Sequence, residues 1–321
     1  MGKLKSPAFL IILAFFAIYV IWGSTYLLNK IAVTELPPFM LASIRFTTAG
    51  TLIFIIAKFM KIKLSVTKKQ FINSAIAGFL FLSFGNGVIV WALKYVDSGF
   101  AALETSAQPL VVLLLLRILE GKKIKAMSVV GVVLGMIGIF LLVSQKQFTS
   151  REGTILGMAM IFICIISWAY GSIFVSKTDL PPNFFVNTGY QMLTAGLTLA
   201  LASLLFGEEW TLPSQWSRSV QFSMIGLVLF GSIVAFTAFN YLLRTVSPEK
   251  VSTSTYVNPI IAMLLGWYFL GEQITFQSVL AALVLLTGVY FINTKKSLVI
   301  YSRFSKRIKY KQGEVIIKKV E

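Results

Sequence analysis

The sequence predicts an all-α integral membrane protein of ten transmembrane helices, arranged as two inverted five-helix repeats. Three observations carry this: an apolar composition, ten apolar runs, and a duplication at a fixed offset of 150 residues. The 321 residues are 57% hydrophobic and 13% charged, with a mean hydropathy of +0.82. Soluble domains carry about 25% charged residues, so lipid is the expected solvent for most of this surface.

Several function classes fall away at once. There is no histidine, and the single cysteine, Cys164, lies in an apolar run. Neither a disulfide framework nor a Cys/His metal cluster is available, and neither a metal nor a cofactor is expected. The net charge of +17 does not point to nucleic acid, because the basic residues lie between apolar runs and in the tail. Charge so placed is topogenic.

About 20 apolar residues cross a bilayer as a helix. The runs predict spans at 8–28, 39–59, 71–93, 98–118, 124–144, 154–176, 184–206, 221–243, 250–270 and 275–294. The first is too long for a signal-peptide core and continues through Trp22 and Tyr26 without a cleavage site. With the N-terminus inside, 23 of the 29 Lys and Arg residues fall on the cytoplasmic side. Five (Lys30, Lys94, Lys146, Arg151, Arg218) fall in the opposite loops, and Arg45 lies within a span. This bias predicts a multi-pass plasma-membrane protein with both termini cytoplasmic, its basic tail in reach of anionic lipid.

Residues 91–146 align without a gap on 241–296, with 12 identities over 56 positions, Pro109/Pro259, Gly121/Gly271 and Gly138/Gly288 among them. The front halves match through Leu36-Pro37-Pro38 and Leu180-Pro181-Pro182, followed by Thr48-Ala49-Gly50 and Thr194-Ala195-Gly196. The expected organisation is a first repeat at 1–148, a second at 149–296, and a basic tail at 297–321. Each half holds five spans, an odd number, so the second copy is expected upside down. Inverted repeats around a midplane site are a mark of secondary transporters.

Polar groups inside the spans are the candidate site, because charge in hydrocarbon is costly and faces a bundle interior or cavity. Arg45 and Glu104 lie about six residues into the second and fourth spans, at similar depth. They are read either as an ion pair joining two helices or as a ligand for a substrate carboxylate or phosphate and a proton carrier. The amides are Asn86, Gln108, Gln191, Asn240 and Asn258. Gln108 and Asn258 occupy equivalent positions just before a proline, where a kink would free a backbone carbonyl; Thr105 and Thr255, one turn earlier, are placed to cap it. Tyr19, Trp22 and Tyr26 share one helix face, and Trp91, Trp168 and Tyr241 add aromatic surface within spans. The expected seam sets Arg45 opposite Gln191 and Gln108 opposite Asn258. Gly131, Gly135 and Gly138 line the fifth span and predict close helix packing.

These features together resemble the drug/metabolite transporter superfamily, and within it the ten-helix EamA-type permeases. The resemblance covers residues 8–294. It rests on Trp22-Gly23-Ser24, on Pro37-Pro38 followed by Arg45, on Pro109 and Pro259, and on Leu270-Gly271-Glu272. The first half departs from the pattern, ending Leu119-Glu120-Gly121-Lys122, with its acidic residue before the glycine. The resemblance implies movement of a small organic solute (an amino acid, metabolite or drug), mostly outward and without ATP. It also implies a cavity between the halves lined by helices one to four and six to nine, with the fifth and tenth peripheral. Mapped onto this chain, that selects Trp22, Arg45, Asn86, Trp91, Glu104, Gln108, Trp168, Gln191, Asn240, Tyr241 and Asn258, with Glu104 as the proton-coupling candidate. The alternatives are an uncoupled channel, a membrane scaffold, or an intramembrane enzyme. The last has no H-E-x-x-H, no G-x-S-x-G and no histidine to serve as base.

Overall fold

A computed structural model describes residues 7–121, 126–144, 152–293, 308–311 and 314–317. Every apolar run becomes a helix, because in hydrocarbon each backbone N–H and C=O must be bonded within its own segment. In order these are α1 (Pro7–Val33), α2 (Pro38–Phe59), α3 (Lys68–Ala92), α4 (Ser98–Glu120) and α5 (Ala126–Val143). The second half supplies α6 (Thr154–Lys177), α7 (Phe184–Leu205), α8 (Arg218–Thr245), α9 (248–270) and α10 (Phe276–Asn293). Seven of them, α1–α4 and α6–α8, are long and apolar enough to cross a membrane unaided; α5, α9 and α10 hold shorter apolar helices.

The helix α1 outruns its expected end at 28 and reaches Val33. The extra turn carries Lys30, whose ammonium donates to the carbonyl oxygens of Leu93 at 2.6 Å and Val96 at 2.8 Å. A cation on terminal carbonyls suits the negative end of α3. In the tail, Ile308–Lys311 (β1) and Glu314–Ile317 (β2) pair as an antiparallel hairpin, the only strands among the described residues. The rest of the basic tail lies outside the described residues.

The helices pack as a two-fold arrangement. Helix α2 lies along α7, and α5 along α10; α1 sits against α8 and α9, as α6 sits against α3 and α4. Exchanging the halves maps each pairing onto itself or its counterpart. The equivalent helices run antiparallel: Glu208, just past the end of α7, binds the amides of Phe39 and Met40 at the start of α2. The second repeat is therefore inverted. The α5–α10 pair is close-packed through glycine, as the sequence predicts. A Cβ on Gly138 would lie 2.6 Å from Leu285, and one on Gly288 would lie 2.7 Å from the Gly131 carbonyl.

Two departures from regular helix recur in both repeats. The middle of α3 is π-helical over Phe79–Asn86, and the middle of α8 over Leu227–Val234. Helices α4 and α9 are broken rather than kinked. The first half of α4 stops at Thr105 and a new helix starts at Gln108. In α9, a short turn (Pro248–Val251) and a 3-10 stretch (Ser252–Tyr256) precede a new helix from Asn258. Pro109 and Pro259 thus occupy the opening turn of a helix, where a missing N–H costs nothing. Both new helices end on a glycine of φ +65°, Gly121 and Gly271, the left-handed cap that favours glycine.

Candidate functional site

The breaks and π-helical stretches converge on one cavity. It is walled by residues of α1, α2, α3, α4, α6, α8 and α9. Helix α7 adds none, while α5 and α10 stay peripheral. The space open to the centre of a water-sized sphere is about 70 Å³. One water needs about 10–15 Å³ on that measure, so this conformation holds only a few small groups.

An aromatic cluster forms one wall. The Trp22 and Trp168 rings meet edge-on at 5.6 Å, and Phe239 lies 5.0 Å from Trp22 and 5.3 Å from Trp168. Trp22 Nε1 donates to the Gly231 carbonyl at 3.2 Å, within the π-helical part of α8. Trp168 Nε1 is buried with no hydrogen-bond partner among the described residues. A Cβ on Gly85 would sit 2.5 Å from that nitrogen, so the bare backbone of α3 is what admits the indole.

The polar wall is built around Arg45, which is 3% exposed. Its Nε donates to Ser232 Oγ at 2.8 Å, and Nη1 lies 3.4 Å from both Asn29 Oδ1 and Asn86 Oδ1. All three partners are neutral. Nη2 makes no hydrogen bond among the described residues; a Cβ on Gly231 would stand 3.1 Å from it. A guanidinium at the centre of a membrane helix costs about 2.5–3.5 kcal/mol on insertion scales, and no anion here offsets it. Gln108 and Asn258 face the same space from the first residues of their new helices. In the orientation its neighbours require, the Asn258 amide donates to the carbonyl oxygens of Tyr19 and Ser254. The Tyr26 hydroxyl meets Thr105 Oγ1 at 2.7 Å.

Of the residues singled out by sequence, Trp22, Arg45, Asn86, Gln108, Trp168 and Asn258 line this cavity. The other five lie elsewhere. Trp91 packs on Phe39 and Phe206, with ring centroids 5.4 and 5.5 Å away. Tyr241 packs on Phe184. Gln191 and Asn240 bind each other through both amides, at 3.1 and 3.3 Å, and Asn240 also donates to Thr188 at 3.0 Å. Arg45 therefore does not face Gln191. Two residues of the same rank in the two repeats have different partners, because the arginine turns toward Ser232 of α8 and its counterpart toward Asn240.

Arg45 and Glu104 do not pair either. Equal depth placed them together by sequence, but Arg45 lines the cavity and bonds Ser232, Asn29 and Asn86, while Glu104 is absent from the lining. Glu104 is 5% exposed, and its Oε2 has no hydrogen-bond partner among the described residues. Thr105 and Thr255 donate to the carbonyl oxygens of Ala102 and Ser252, each at 2.8 Å. They satisfy the ends of the broken segments, not carbonyls freed by a kink. Sequence reasoning missed Asn29 and Ser232, the two other arginine partners. Asn29 had a signal, since it lies one turn beyond Tyr26 on the same face.

A two-fold bundle of broken membrane helices around a solute-sized cavity defines a polytopic membrane transporter. The chain belongs to the EamA-like transporter family, whose model matches residues 9–144 and 155–294. It is 38% identical over 288 residues to "Uncharacterized inner membrane transporter YedA" of Escherichia coli (strain K12), covering 89% of this chain and 91% of that one. It is 23% identical to "Uncharacterized transporter YoaV" of Bacillus subtilis (strain 168), over 88% and 96% of the two chains. A crystal structure at 18% identity shares the fold with a TM-score of 0.66, over 88% of this chain and 96% of that one.

Proposed function

We propose that this transporter is a secondary exporter of a small organic solute (an amino acid, metabolite or drug), working by alternating access between its inverted repeats in the plasma membrane. The observation that carries the reading is the cavity itself. It lies at the seam of the halves, where α4 and α9 are broken and α3 and α8 are π-helical. Discontinuous helices at a repeat seam are how secondary transporters present backbone and side-chain groups to a solute. Rocking of one repeat against the other would open the cavity to each side in turn. The 23-to-5 distribution of Lys and Arg supports cytoplasmic termini. Glu104, buried without a hydrogen-bond partner for Oε2, is the candidate for proton coupling. The repeats are assigned to 1–148 and 149–296, with the tail from 297.

The test is counterflow in proteoliposomes loaded in turn with amino acids, carboxylic acids, nucleosides, sugars and organic cations. Saturable exchange of at least one class, abolished in Trp168→Ala, is the expected result. No exchange for any class would overturn the reading, and unitary conductance would replace it with a channel.

A further inference from the structure

We infer that the central cavity selects a small organic monoanion, its carboxylate held by Arg45 and its apolar body by Trp22 and Trp168. The inference rests on the transport reading above and names the substrate class of that same site.

Formal charge carries the first part of the argument. Among the residues lining the cavity there is one cation, Arg45, and no aspartate or glutamate. The cation is nearly fully buried, its three partners are neutral oxygens, and its Nη2 makes no hydrogen bond among the described residues. Glu104, the candidate counter-charge by sequence, makes no ion pair with Arg45 and does not line the cavity. A charge enclosed in low dielectric without its opposite is a binding determinant awaiting a partner. The guanidinium lies over the Phe46 ring at 4.8 Å, but an entering cation would meet its charge with no carboxylate in the lining to offset it.

The starts of the new helices add polar side chains. Gln108 and Asn258 open two helices of 13 residues each, and both line the cavity. The Gln108 amide has no hydrogen-bond partner among the described residues, which leaves it free for a second carboxylate contact.

Shape supplies the rest. Trp22, Trp168 and Phe239 form a continuous aromatic wall of the cavity. About 70 Å³ of free space excludes a bulky or polyanionic ligand in this conformation. The fit is to one acidic group on a compact hydrocarbon or aromatic body.

The experiment uses the full chain in nanodiscs and three matched series: propionate, isovalerate and benzoate, with the amide and the amine of each carbon skeleton. Binding is read by thermal stability and by tryptophan fluorescence. At least one carboxylate is expected to raise stability, with its amide at least tenfold weaker and its amine without effect. Arg45→Gln should abolish the preference of carboxylate over amide, and Arg45→Lys should keep part of it. The wild-type comparison needs no variant, so a poorly folding Arg45→Gln leaves the test intact. Binding of amines or amides in preference to carboxylates would overturn the anion assignment while leaving the cavity as a solute site. Stabilisation by chloride or phosphate alone, or by no member of the panel, would overturn it as well. A counterflow screen in which nothing moves would remove the transport reading, and this inference with it.

Discussion

Removing one carboxylate, in Glu272→Ala, should loosen a whole face of the transporter. Glu272 belongs to the second repeat, just past the end of α9, and it caps the start of α4 in the first. Its Oε1 accepts from Ser98 N at 2.9 Å and Ser98 Oγ at 2.7 Å; its Oε2 accepts from Ser98 Oγ at 2.9 Å and Gly99 N at 3.1 Å. This is the work of an N-cap, done by a residue 174 positions away. Losing a cap costs about 0.5–2 kcal/mol, and a hydrogen bond to a charged group about 1.5–3 kcal/mol. Glu272 is only half-buried, so solvent replaces part of the loss, and about 2 kcal/mol is the expected net cost. If the contact exists only while that face is closed, opening becomes about 30-fold easier, since 1.4 kcal/mol is a factor of ten. Hydrogen exchange of the 98–105 amides measures this directly, with the 248–256 segment of the opposite face as internal control. Exchange at 98–105 should rise about 30-fold while the control stays unchanged. Unchanged exchange at 98–105 would refute the capping argument, and an equal rise in both segments would show general destabilisation instead of a latch.

Other perturbations follow from the same contacts. In Asn240→Leu the Gln191 amide loses both its bonds to Asn240; thermal unfolding should show a loss of about 1–3 kcal/mol, with solute affinity unchanged because neither residue lines the cavity. Gly78→Ala drives a Cβ into the backbone oxygen of Gln191, which cannot swing aside, so about 1–3 kcal/mol of overpacking is expected in the same measurement. The Glu35 carboxyl is held below its ordinary value by the Ser217 hydroxyl and then by the Ser217 amide. Its contribution is therefore present above the ordinary carboxylate range and is lost as pH falls through its lowered value. Protection of the Ser217 amide should fall on acidification, and in Glu35→Gln that pH dependence should vanish. Glu104→Gln should leave solute counterflow intact while abolishing uptake driven by a proton gradient; equal loss of both would make Glu104 structural.

The architecture was largely legible in the sequence, because a membrane reduces the choice of spanning structure to almost nothing. Runs of 20 apolar residues must be helices, and the Pro109/Pro259 and Gly121/Gly271 pairs locate the breaks and ends of α4 and α9. What those prolines do was not legible. A proline within an apolar run reads as a kink, and only backbone coordinates separate a bent helix from one that stops and restarts. The π-helical stretches left no usable trace either. Phe79–Asn86 and Leu227–Val234 share little beyond a preceding glycine, Gly78 and Gly226, and the extra residue per turn is imposed by packing. The site was legible at the level of residue type and lost at the level of rotation. Depth along a helix follows from counting residues at 1.5 Å each, which is why the sequence sets Arg45 and Glu104 at one level. Azimuth depends on how each helix is turned against its neighbours, and there the expected pair separates: Arg45 meets Ser232 at the cavity and Glu104 lies outside its lining.

An inverted repeat would make the two faces of the protein equivalent if its halves were identical, and among the positions that differ one bears directly on a helix cap. Glu272 follows Gly271 and caps α4; the residue 150 positions earlier, following Gly121, is Lys122. A cation is the wrong charge for a helix N-terminus, so the start of α9 cannot be capped in the mirrored way. On the face carrying Glu272, Glu208 from the second repeat also holds the amides of Phe39 and Met40, and Glu35 from the first holds Ser217. Three carboxylates there reach across the seam onto helix starts. On the opposite face the described contacts across the seam include a Lys177–Glu120 ion pair at 2.8 Å, with the lysine side chain 54% exposed. They also include the Tyr190 hydroxyl on the Leu64 carbonyl. An ion pair with its lysine end this exposed is partly screened by solvent. The reversal of glycine and acid between the two halves, read from sequence as a departure from a family pattern, thus gives one face a carboxylate cap that the equivalent position of the other repeat does not supply. Exchanging the residues at 122 and 272 would be expected to reverse the difference at this pair, because it removes the acid from the start of α4 and places one at the mirrored position.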